Sequence, residues 1–233
     1  MSWTNIIWSM VASACLTLAM VHLIIWFRQN NQPAHLLFSV IAVAVAAISA
    51  CELLAMHAQT TVEFGRILWW GHLPVFFAVV SIVWFVLFYF RAGRPWLGYT
   101  VCVLRLVGLI INFFSVPNLN YKQITDLLHL NFFGETISVA EGVGNPWAAV
   151  GELSSLLLLV FVVDASLTLW RQGDRIGRRR AVIVGGSVTF FILVAAGHSA
   201  LLNRGLISSP YLISLPFLVI VAAMGYELSC DVL

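Results

Sequence analysis

Arg171-Gln-Gly-Asp-Arg-Ile-Gly-Arg-Arg-Arg180 holds five of the twelve Lys and Arg residues in a chain of 233. Apolar runs long enough to cross a bilayer flank it on both sides. Short loops rich in Lys and Arg stay on the cytoplasmic side, so residues 171–180 read as a cytoplasmic loop that orients everything else. A solvated charge run in a soluble protein is the alternative, and the apolar neighbours leave it little room.

Composition points the same way. With 61% apolar and 9% charged residues, the chain lacks the charge to cover a soluble surface. The formal net charge of +2 comes from Arg gathered in loops, so it describes topology and gives no argument for nucleic-acid binding. The four cysteines, Cys15, Cys51, Cys102 and Cys230, fall in spans or near the C-terminus, and no disulfide framework is expected. The N-terminal apolar run has no basic stretch before it and continues too far for a cleaved signal, so it reads as a retained first span.

A helical span needs about 20 apolar residues. Seven candidates meet that need, over residues 5–27, 35–57, 67–90, 96–116, 146–170, 181–202 and 211–226. Barrel strands would not give such long runs. The expected fold is an all-α membrane protein, a seven-transmembrane helix bundle. Counting back from the Arg-rich loop puts Arg28, Arg91 and Arg94 inside and Glu63, Asp126, Glu135 and Glu141 outside, hence the N-terminus outside and the C-terminus inside. Tryptophan favours the headgroup level, and Trp3, Trp8, Trp69, Trp70 and Trp147 mark one boundary while Trp26, Trp96 and Trp170 mark the other. Small residues at 42–50 and at Gly185, Gly186, Ala195, Ala196 and Gly197 suit close helix approach. Pro74 and Pro216 fall inside spans three and seven, where each removes a backbone hydrogen bond.

One connection is long. Residues 117–146, roughly thirty in all, exceed the usual loop length and so call for structure or function of their own. Residues 123–128 suit a helical turn or two, and residues 129–139 two short strands around a Phe133-Gly134-Glu135 turn. We expect a folded lid over the outer mouth. A disordered tether is the alternative, opposed by the aromatic and β-branched content.

Ionisable groups within a bilayer are functional-site candidates by default. Glu52, His72, Glu152 and His198 each lie five or six residues from the outer end of their span, roughly 8–9 Å below the boundary at 1.5 Å per residue. Asn112 lies near the same level, and His57 above Glu52. Facing inward, these groups form a small-molecule site or a metal site with two imidazoles and two carboxylates; facing one another, they only hold the bundle together. Arg105 and Asp164 are economically read as a structural ion pair, and His22 as a packing histidine. A haem between His72 and His198 is sterically conceivable but disfavoured. Retinal is excluded by the absence of a lysine in any span, since Lys122 is the only lysine. A transporter or channel, and a membrane metalloenzyme, stay as rival classes, although neither repeated halves nor a recognised catalytic motif appears.

The ending Gly225-Tyr-Glu-Leu-Ser-Cys-Asp-Val-Leu233 resembles the exit of the seven-transmembrane input domains of bacterial sensor histidine kinases, where Gly-Tyr-Glu-Leu-Ser-Arg-Asp-Val-Leu leads by a helix into PAS and kinase domains. Arg91-Ala-Gly-Arg-Pro-Trp96, Pro117-Asn-Leu-Asn-Tyr121, Gly134-Glu135, Ser138-Val-Ala-Glu-Gly142 and Asn145-Pro-Trp147 match further pieces of that family, so the resemblance covers nearly the whole chain. Cys230 departs from its Arg. The resemblance implies a sensor domain in the bacterial inner membrane, dimeric, acting on cytoplasmic PAS and kinase domains in cis, with residues 227–233 opening the signalling helix. Without those domains the chain is expected to have no kinase activity. Tyr121 and Glu135, in the matching lid segments, join Glu52, His72, Asn112, Glu152 and His198 as candidate ligand contacts. The ligand, organic or metal, is not specified by the resemblance.

Overall fold

The computed structural model describes residues 2–28 and 33–232; the side chains of residue 225 and residues 228–232, Cys230 among them, lie outside the described residues. In chain order the elements are α1 (Trp3–Arg28), α2 (Pro33–Met56), α3 (Thr61–Phe90), α4 (Pro95–Phe114), β1 (Tyr121–Phe132), β2 (Glu135–Gly144), α5 (Ala148–Gln172), α6 (Arg175–Asn203, with one π turn at Ala181–Gly185) and α7 (Phe217–Val232). Among the described residues, α1 to α6 are the six helices long and apolar enough to cross a membrane. This is the architecture of a helical multi-pass membrane protein. Large apolar side chains left uncovered, such as Met10, Leu16 and Met20 on α1 and Val103, Leu106 and Ile110 on α4, are the surface such a protein offers to lipid.

Local chemistry sets the helix ends. Thr60 caps α3 by accepting from the Glu63 amide at 3.1 Å, while the Glu63 carboxylate reaches back to the Gln59 amide at 2.9 Å. That reciprocal arrangement starts α3 at Thr61, ahead of the expected residue 67. Pro95 opens α4, where no amide is needed, and the Asp164 carboxylate of α5 accepts from the Arg94 amide just before it at 3.1 Å. The Arg-rich stretch is a tight turn more than a loop. Helix α5 runs to Gln172, and Asp174 caps α6 by accepting from the Gly177 amide at 2.8 Å. Four arginines therefore sit in the first two turns of α6, the end where the helix dipole disfavours cations.

The seventh span differs from expectation. Residues 211–216 are not helical, and α7 has 16 residues, about 24 Å at 1.5 Å per residue against a hydrocarbon core of about 30 Å. Pro216 precedes the helix and does not interrupt it. The residue before a proline is driven out of helical geometry, and Pro210 and Pro216 bracket the irregular segment. Pro74, by contrast, does lie inside α3.

The core runs along the bundle axis through Val45, Val83, Val86, Phe161 and Val162. Phe217 seats the start of α7 in it, fully buried, with ring centroids 6.2 Å from Phe38 and 5.7 Å from Phe191. Burying such a ring contributes about 1.5–3 kcal/mol. Of the small residues, Ala42, Ala44, Ala46 and Gly185 serve close packing. A Cβ at Gly185 would fall 2.2 Å from Ser166 Oγ on α5, whereas Gly186 and Gly197 face open space.

Residues 117–146 contain a β hairpin. Residues 123–128, expected as a helical turn, belong to β1, paired antiparallel with β2. Pairing runs to Phe132 and Glu135, with the turn at Phe133 (φ 51) and Gly134 (φ 80). Two consecutive positive φ values give the hairpin turn whose twist matches its strands. An isolated hairpin is marginal, so its buried face matters. Ile137 and Val139 pack on Trp8 and Met56, Leu127 joins Ala55, Phe64, Leu202 and Tyr211, and Ser138 Oγ donates to the Ala58 carbonyl at 2.7 Å. The hairpin thus closes the end of the bundle opposite the Arg-rich turn.

Candidate functional site

Beneath the hairpin the helices leave a cavity of about 180 Å³. Its walls are mostly apolar, including Ile48, Val75, Ala78, Leu158, Phe191 and Ala195, and its polar lining is Glu52, His72, Arg105, Asn120, Glu152, Ser155, Ser199, Asn203 and Tyr211. A largely apolar hollow with a few convergent polar groups is the usual form of a small-molecule site. Helices α2 to α6 supply most of it. Leu119 and Asn120, on the way into β1, and Tyr211 and Ile213, on the way into α7, complete the lining.

Glu52 connects this cavity to the last helix. Its carboxylate, buried, accepts from Trp8 Nε1 at 2.8 Å, from the Ser214 amide at 3.1 Å, from Ser214 Oγ at 2.5 Å, and from the Ile213 amide. Four donors occupy its two oxygens, so the irregular backbone before α7 is satisfied by protein, as buried backbone requires. Among the described residues no cation pairs with it.

His72, half-buried, shares the cavity, with Nδ1 at 2.9 Å from the Leu68 carbonyl. Glu152 lines it too, and its carboxylate accepts from the Arg204 guanidinium at 2.7 Å. His198 lies outside the lining; its Nε2 is 2.9 Å from Ser209 Oγ. Among the described residues no three His, Cys, Asp or Glu side chains are grouped to hold a metal. The four-residue metal arrangement is therefore corrected: depth matched, but Glu52, Glu152 and His198 each turn to a different partner.

Three further candidates hold structure together. Asn112, fully buried, donates to the Trp69 carbonyl at 2.9 Å and accepts from the Leu119 amide at 3.0 Å, tying the end of α4 to α3 and to the strand that follows. Glu135 clasps the start of α1, accepting from Ser2 Oγ at 2.5 Å, Thr4 Oγ1 at 2.6 Å and the Trp3 amide. Those hydroxyls, first Ser2 and then Thr4, hold its carboxyl down at about 2. Tyr121 is buried at the base of the hairpin beside a second cleft, shared with Asn203 and Arg204, and outside the central cavity. His57, above Glu52, is exposed, with Nδ1 on the Leu53 carbonyl.

The Arg105–Asp164 ion pair does not form. Asp164 serves the Arg94 amide, and Arg105 NH2 donates to Ser155 Oγ at 2.8 Å and at 3.5 Å toward the Gly151 carbonyl. Arg105 Nε is buried without a hydrogen-bond partner. Counting residues from the outer end of each span misses Arg105 as a cavity group. A lone arginine in the middle of an apolar helix was the available signal.

At the other end of α7, Glu227 is buried, and Arg179 grips it through Nε at 3.2 Å and NH2 at 3.1 Å, with Arg180 Nε at 4.0 Å. This carboxylate offsets the cations at the start of α6. Spacing along the chain gave no hint of that pairing.

No known family, curated protein or solved structure matches the chain. Fold and cavity together define a helical multi-pass membrane protein with a hairpin-capped hollow.

Proposed function

We propose that the chain is a sensor input domain of a bacterial inner membrane, whose cavity takes a small ligand from the outer side and whose α7 carries the response to the cytoplasm. The observation that carries this reading is Glu52: one carboxylate both lines the cavity and holds the backbone that begins α7. A ligand that altered those bonds would act on α7 directly, and only a difference in its affinity for two arrangements of α7 is needed to shift their populations. Arg28, Arg91, Arg94 and residues 171–180 lie at helix ends away from the hairpin, which supports hairpin outside and Arg-rich turn inside. In this reading α7, with the segment before it, is the seventh crossing. Cytoplasmic PAS and kinase domains in cis, and a dimer, follow from the resemblance of residues 225–233.

The test uses spin labels at the exposed positions Val182→Cys on α6 and Ala222→Cys on α7, with the native cysteines replaced. Glu52→Gln is expected to shift or broaden the distance between them. An unchanged distribution, in a variant whose Ile213 and Ser214 amides exchange faster with solvent, would show that the outer anchor does not govern α7 and would sink the proposal.

A further inference from the structure

Arg105 lines the cavity with no carboxylate in contact with it. Glu152 is neutralised by Arg204, and every acceptor position of Glu52 is engaged by an uncharged donor. Arg105 contributes a guanidinium with a neutral hydroxyl and a distant carbonyl as partners, and with Nε unused. A buried cation left without an anion is strongly disfavoured, and an arginine fork fits a carboxylate through two parallel N–H donors. Space is available on the cavity side, which Arg105 lines together with Gly151 and Ala148. His72, another lining residue, is held by the Leu68 carbonyl at Nδ1 and by the Asn120 side chain.

We infer that the cavity binds a compact organic monocarboxylate, its head on Arg105 and its apolar body against Val75, Ala78 and Ala195. The size follows from the volume: a cavity of about 150 Å³ holds benzene, so 180 Å³ suits a body of one ring or a short aliphatic chain. This rests on the sensor reading, whose site it fills and whose ligand class it names.

The test is calorimetry and thermal unfolding of the purified chain in a neutral detergent, with benzoate and hexanoate against benzyl alcohol and 1-hexanol. Both acids are expected to bind and raise the unfolding temperature, with the alcohols weaker by about tenfold or more, the worth of a charge-assisted bond. Arg105→Gln removes that preference and Arg105→Lys keeps part of it, each variant checked for native helicity. Ser155→Ala, which leaves the cation in place, weakens the acids by a smaller factor. Equal binding of acids and alcohols, acid binding that survives Arg105→Gln, or absence of acid binding would each overturn the inference. Displacement of benzoate by oleate at far lower concentration would also overturn it, in favour of a lipid-derived acid. Acid binding with an unchanged α6–α7 label distance would leave this inference standing and remove the sensor reading, so the two fail separately.

Discussion

Helix α7 is held at both ends by a buried carboxylate, and the two ends are built differently. Near the hairpin, Glu52 is surrounded by an indole, a hydroxyl and two backbone amides. At the Arg-rich turn, Glu227 meets the fork of Arg179 with Arg180 close by, and both arginine side chains keep about a third of their surface exposed. The first anchor is neutral donors around a charge in an apolar hollow, where loss of one donor is not made good by solvent. The second is an ion pair with partial access to solvent, tuned by salt and largely indifferent to the cavity. Under the proposed sensor reading, the Glu52 end is the conditional anchor of α7 and the Glu227 end the fixed one.

The largest test of this contrast is Glu52→Ala. It strands four donors in a site that water does not readily fill, and the expected cost is about 3 kcal/mol or more, read as a large fall in the unfolding temperature in detergent by circular dichroism. A loss under about 1 kcal/mol would mean that the donors find other partners and that Glu52 is no anchor. Glu227→Gln should cost less, about 1–3 kcal/mol. Its signature is salt: added NaCl should narrow the gap between wild type and variant, because partly exposed pairs are screened, whereas the Glu52 effect should persist. Equal salt sensitivity at both ends would erase the distinction.

Gly185→Ala probes how firmly α6 presents Arg179 and Arg180 to Glu227. Its new Cβ meets Ser166 Oγ, so about 1–2 kcal/mol of overpacking strain is expected, partly relieved by Ser166→Ala. No loss of stability would show that α5 and α6 separate easily and that the Glu227 anchor is loose.

Glu135 extends the comparison to a carboxylate held at the surface. Its folded-state value of about 2 lies below the ordinary 4.5, so the clasp on α1 contributes fully above pH 4.5 and is lost as pH falls through about 2. The smallest expected effect is a rise in exchange of the Trp3 amide over that acid range, absent in Glu135→Gln. Loss of the clasp already near neutral pH would contradict the geometry.

Much of the fold was legible because bilayer thickness sets helix length, and an apolar run of about 20 residues has few other solutions. The hairpin turn was legible in Phe133-Gly134 and the strand-forming residues around it. Residues 123–128 were not, because their pairing with β2 depends on a partner strand that local pattern does not reveal. Of the four polar groups matched by depth, Glu52, His72 and Glu152 share the cavity while His198 does not, although Ser199 beside it does. Depth is a matter of counting, but facing depends on how each helix is rotated against its neighbours.

By itself the sequence determined that this is a helical multi-pass membrane protein and that most of its arginines gather at one end, because these follow from hydropathy and charge. Tertiary structure alone decided that α7 begins at Phe217, that Glu52 and Glu227 hold its ends, and that Arg105 faces a cavity without a carboxylate partner. Those outcomes depend on contacts between residues as far apart in the chain as Glu52 and Ser214, and only packing brings them within the 2.5–3.1 Å at which hydrogen bonds form.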